Sequence, residues 1–147
     1  MLFKLLLVAA GGGLGACLRY LLAVLATQVL HVSVMYATFA ANLLGCFLIG
    51  LLWGFGSTRW QLSEHTMLLL ATGFLGGLTT FSTFQLELFN AYLQRQYVAL
   101  FTYFSASLVC GFLAICLGSE VAKRIAPPAI NHFDQNMPYP ADEQAFD

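Results

Sequence analysis

Four long apolar runs decide most of what this chain can become. They cover about residues 5–30, 33–56, 66–91 and 97–119 of a 147-residue sequence. The second and fourth hold no charged residue, the first carries only Arg19, and the third is charge-free up to Glu87. Each reaches the roughly 20 residues a helix needs to cross about 30 Å of hydrocarbon. The separators HVS (31–33), STRWQLSEH (57–65) and QRQ (94–96) are short. The pattern predicts an all-α membrane protein with four transmembrane helices and minimal loops. Composition agrees: 9% of residues are charged, against about a quarter in soluble domains. A formal net charge of −1 gives no reason to expect a nucleic-acid partner.

The end of the chain differs in kind. Residues 126–147 contain all four prolines and four of the seven acidic residues, and Pro127–Pro128 would stop the fourth helix. We therefore divide the chain into a transmembrane domain, 1–125, and a flexible polar tail, 126–147. At the other end, Lys4, LLLVAA and LGAC ending at Cys17 imitate a lipoprotein signal. A cleaved anchor should lead into a polar spacer, but LRYLLAVLATQVL follows Cys17, so the segment is read as the first helix. Cys17, Cys46, Cys110 and Cys116 all fall inside predicted helices without a CxxC or Cys/His cluster. They read as small buried thiols rather than metal ligands or disulfides. His31, His65 and His132 fall in loops or the tail and read as solvated.

GGGLGA (11–16) brushes against a dinucleotide-binding pattern, but no strand precedes it and no βαβ unit surrounds it. Small residues four apart explain it better: Gly11/Gly15 and Gly12/Ala16, then Ala41/Gly45, Cys46/Gly50 and Gly50/Gly54 in the second helix. Such faces let helix backbones approach closely where lipid supplies no hydrophobic drive. Helices packed this tightly leave no room for a wide aqueous pore. A transported species must be small, or the pathway shared with a second subunit.

Polar groups at membrane depth are functional candidates. Asn42 lies near the middle of the second helix and either bonds a neighbouring helix or contacts a ligand with its amide donors. Arg19 either snorkels to the interface or gives a vestibule an anion-attracting potential. Glu87 is either a proton-coupling carboxylate or paired with a polar neighbour. Tyr103 and Ser107 share a face of the fourth helix at i, i+4 spacing. The most unusual stretch is GGLTTFSTF (76–84), where Gly73, Gly76 and Gly77 precede Thr79–Thr80 near the centre of the third span. A break there is tolerated only where protein or a polar cavity satisfies the freed backbone. Freed carbonyls suit a cation, and a half-helix N-terminus suits an anion. Phe81 and Phe84, with Ser82 and Thr83 between them, add ring edges and hydroxyl hydrogens, both partners for an anion.

GFLGGLTTFSTFQLE (73–87) closely resembles the signature of the small bacterial fluoride channels called Fluc or CrcB. GGGLGACLRY (11–20) and ANLLGCFLIG (41–50) look like that family's other two blocks, in the same order. The resemblance covers roughly residues 1–120. It implies a four-helix subunit with a broken third helix, pairing with an inverted copy of itself as a dual-topology homodimer in the cell inner membrane, with two anion pathways. It implies that Phe81 and Phe84 turn ring edges to fluoride, that Asn42 is the pore asparagine, and that Ser82, Thr83, Tyr103 and Ser107 form a hydroxyl track. It also implies that Arg19 and Glu87 border the track, and that carbonyls of Gly76 and Thr79 from both subunits hold a structural Na⁺. Lys4, Arg59, Lys123 and Arg124 share one membrane side against Arg95, a slight bias toward cytoplasmic termini. The expected activity is passive fluoride export, not an enzymatic reaction. The rival is a small multidrug-type proton-coupled transporter, which needs a carboxylate in the middle of helix one, where this chain has Arg19.

Overall fold

The computed structural model describes residues 1–56 and 62–126. The polar tail and Arg59 lie outside the described residues, apart from Ala126, which is buried. Helix α1 spans Leu2–Val29 and α2 spans Val34–Gly56. The third span, Glu64–Leu93, consists of two half-helices, α3 (64–78) and α4 (Phe81–Leu93); α5 is Tyr97–Ile125. The four spans hold 28, 23, 30 and 29 residues, each long enough to cross a bilayer. The limits follow the apolar runs closely, except that α5 continues past residue 119 through the amphipathic turn carrying Glu120 and Arg124.

Local chemistry explains the helix limits. Ser63 is extended (ψ 155°) and its Oγ accepts the Thr66 N–H at 3.1 Å, capping α3. The last turn of α1, Leu25–Val29, and the stretch Leu68–Leu75 are wound with the wider i→i+5 bond. Two turns on the same membrane side place non-glycine residues in the left-handed region, His31 at φ 54° and Arg95 at φ 59°. Arg95 lies where a helix C-cap usually holds glycine: its N–H reaches Tyr92 O, and the Gln96 N–H reaches Ala91 O.

Two helix pairs make the bundle, α1 against α3 and α2 against α5, with α4 packed on α2 and α5. Glycine builds both pairs. A Cβ on Gly15 would run into Phe74 O, and one on Gly77 into Gly12 O. In the second pair, Gly50 faces Ile115 O and Gly118 faces Phe47 O with equally little space. Gly11/Gly15 and Gly50/Gly54 are therefore backbone contact surfaces, as their spacing predicted, whereas Gly45 faces the Thr79 methyl. Ala41, Leu75 and Leu78 form the buried centre, with Leu18, Leu22 and Leu48 packed around them. Most large apolar side chains point outward, as expected where the solvent is lipid.

Gly73, Gly76 and Gly77 of the third span are all helical, and no glycine has positive φ among the described residues. Gly73 and Gly77 are needed for the approach of α1. The break falls later, at Thr79 (φ −80°, ψ 153°) and Thr80 (φ −149°, ψ 115°). β-branched threonine readily adopts these extended angles, which any L-residue can reach without strain.

Candidate functional site

The interruption frees backbone groups that must find partners away from water. Asn42, on α2, answers most of the demand at Thr80. Its Oδ1 accepts the Thr80 N–H at 2.8 Å and its Nδ2 donates to the Thr80 carbonyl at 3.2 Å. The carboxamide thus replaces a peptide partner across the gap and uses one of its two N–H donors, leaving the other for a ligand. The two sequence-based readings of Asn42, interhelical bond and ligand donor, are compatible at one side chain.

Thr80 also starts α4. Its Oγ1 accepts the Thr83 N–H at 3.2 Å and donates to Thr83 Oγ1 at 2.9 Å, while Ser82 Oγ lies 3.4 Å away. The amide end of α4, with its partial positive charge, therefore meets a cluster of three hydroxyls. On the other side of the gap, α3 presents its carbonyl end. The Arg19 Nε donates to Gly77 O at 3.1 Å, where a continuous helix would have used the Phe81 N–H. Arg19 is half-buried and walls a cavity of about 290 Å³ with Thr38, Thr80 and Thr83. Its guanidinium thus stands at the edge of the gap.

A second cavity, about 400 Å³, opens on the opposite side of Thr80 and is lined by Asn42, Gly76, Thr79, Phe81 and Phe84 among others. Phe84 is 5% exposed and Phe81 72%. Their ring centroids are 6.2 Å apart at 43°, and Phe84 meets Tyr103 edge to face at 5.1 Å. Phe39 extends the aromatic series to Tyr103 at 6.4 Å.

Beyond Phe84, one turn further along α4, Glu87 is buried. Thr38 Oγ1 donates to its Oε1 at 2.7 Å and the Tyr103 hydroxyl donates to its Oε2 at 2.8 Å. The polar-neighbour reading of Glu87 is the geometry found. Ser107 Oγ, one turn after Tyr103, is buried and has no hydrogen-bond partner among the described residues. Such a hydroxyl is a donor waiting for an acceptor.

Gly76 and Thr79 lie at the carbonyl end of α3. The Thr80 N–H that a continuous helix would send to Gly76 O goes to Asn42 instead. The donors are neutral oxygens at the negative end of a half-helix, which suits a hard, weakly charged cation.

Sequence reasoning passed over two participants. Thr38 precedes Asn42 by one turn on α2, so the i, i+4 rule was a usable signal for it. Thr80 was seen as part of the break but not as its hub. The Thr80–Thr83 spacing, a hydroxyl cap three residues ahead of another, was the available sign.

A bundle of four spans with one interrupted at mid-depth, hydroxyls and aromatic edges gathered at the gap, is the form of an ion-handling multi-pass membrane protein. The family profile described as CrcB-like protein, Camphor Resistance (CrcB), matches residues 6–119, and the chain belongs to that family. It is 39% identical over 118 residues to a protein of Azobacteroides pseudotrichonymphae named fluoride-specific ion channel FluC, covering 80% of this chain and 94% of the relative. Proteins of the same name from Acidobacterium capsulatum and Caulobacter sp. strain K31 are 43% and 44% identical. Each alignment covers 83% of this chain, with 98% and 96% of the relative.

Proposed function

We propose that this protein is a fluoride-selective channel of the cell inner membrane, which lowers cytoplasmic fluoride by passive export. The observation that carries the reading is the interruption at Thr79–Thr80, which gathers the amide end of α4 and the hydroxyls of Thr80, Ser82 and Thr83 at one point of the third span. The names of the relatives supply the halide.

Fluoride holds its hydration shell tightly, so a pathway must replace water with donors at short range. Arg19 raises the local anion concentration at the cavity beside Thr80. The second Asn42 N–H and the Ser82 and Thr83 hydroxyls replace water oxygen by oxygen, and the rims of Phe81 and Phe84 add weaker positive edges. Ser107 continues the series along α5, and Tyr103, whose hydroxyl hydrogen is given to Glu87, borders the track with its ring against Phe84. Past the gap no fixed cation stands in the track, and the Glu87 carboxylate keeps affinity low enough for release.

The functional unit is an antiparallel homodimer. Such pairing would place Phe81 and the open groove beside it against the second copy. The same pairing would bring the Gly76 and Thr79 carbonyls of two chains together. Four neutral oxygens would then hold a structural Na⁺, which when bound screens the facing carbonyl ends of the α3 helices.

Proton-coupled multidrug transport is less well supported. Among the described residues, the one acidic group deep in the bundle, Glu87, has both oxygens engaged by hydroxyl donors. The test is fluoride efflux from liposomes holding the purified protein. Fluoride flux without chloride flux, unaffected by an imposed pH gradient, is expected. Flux that requires the gradient, or none at all, overturns the reading.

A further inference from the structure

The track has a further stage between Glu87 and the membrane surface. A groove of about 250 Å³ runs from Glu87 to the turn joining α4 and α5, walled by Ser33, Asn90, Ala91, Gln94 and Gln96. Glu87, Asn90, Ala91 and Gln94 follow at i, i+3, i+4 and i+7, one face of α4. Glu87 and Ala91 are buried, whereas Ser33, Asn90, Gln94 and Gln96 are exposed, so the groove is closed at its floor and wet at its mouth. Ala91 makes room: a larger side chain at that buried point would fill the passage.

The polar groups at the mouth are three carboxamides and one hydroxyl, beside the apolar Val34 and Met35, and no lysine or arginine is among the lining residues. Gln96 Nε2 donates to Gln94 Oε1 at 3.1 Å, which occupies the acceptor of Gln94 and leaves its NH₂ as the free end. Neutral N–H donors can hold a partly hydrated anion without trapping it, as a fixed cation would.

We propose that this groove is the outer mouth of the anion path, where Asn90 and Gln94 take over the first lost waters of fluoride before Glu87 and the Thr38–Tyr103 pair are reached. The inference rests on the fluoride-channel reading and adds to it two specificity-determining residues at a surface turn.

Charges of opposite sign introduced at Gln94 test it, because the side chain sits at an exposed turn where folding is insensitive. In liposomes at low ionic strength, Gln94→Glu should slow fluoride efflux about threefold, and Gln94→Lys should leave it unchanged or faster. In about 1 M of a salt with an impermeant anion, where the Debye length is about 3 Å, the two variants should converge. Equal effects of both charges, or none, would remove the groove from the path while wild-type flux keeps the channel reading intact. Absence of fluoride flux in the wild type would overturn both.

Discussion

Asn42 bonds both polar groups of the Thr80 peptide edge, and the two bonds together hold the gap in a single geometry. Asn42→Leu leaves a donor and an acceptor unpaired at membrane depth, each costing about 1–3 kcal/mol. We expect the purified variant to lose its monodisperse peak at markedly lower temperature than wild type on size-exclusion after heating, and fluoride flux to vanish with it. Phe81 is different in kind, since it is 72% exposed and contributes little to packing within one subunit. Phe81→Ile removes the positive ring edge but keeps apolar bulk, so stability should hold while efflux falls by at least about tenfold, or about 1.4 kcal/mol of barrier. Unimpaired flux in that variant would remove the aromatic role.

For the helices, the question is why glycine recurs where it does. Gly15 and Gly13 lie on the same helix, yet a Cβ on Gly15 meets the Phe74 carbonyl whereas one on Gly13 meets nothing within 4 Å. Gly15→Leu should therefore destabilise the α1–α3 pair by about 1–3 kcal/mol, as overpacking does. Gly13→Leu should be silent, within about 0.5 kcal/mol. Thermal stability in detergent of the two variants side by side checks this, and equal losses would contradict the helix pairing described. Both stripes were legible as i, i+4 small residues. Which glycines touch a neighbour was not, because that depends on how two helices cross. The same limit applies to the glycines before Thr79: a glycine needed for close approach and one needed for freedom look alike in a sequence.

At the scale of the whole molecule, the proposed antiparallel dimer would meet at Phe81 and the open groove beside the gap. A particle of twice the 16.1 kDa chain mass is expected in mild detergent, and a label on the termini should react from both faces of the membrane. Replacing Na⁺ by a bulky organic cation should weaken that pairing. A stable monomer with full flux would contradict the dimer.

The apolar runs alone determined the number of spans and their approximate limits, because an apolar run of about 20 residues can satisfy its own backbone in lipid only as a helix. The polar residues worth asking about, from Arg19 to Ser107, stood out for the same reason: each is costly in hydrocarbon. Tertiary structure alone decided their partners. Asn42 finds Thr80 from 38 residues away, Thr38 finds Glu87 from 49 and Arg19 finds Gly77 from 58. Such pairings are set by the crossing of helices, which small-residue spacing permits but does not specify.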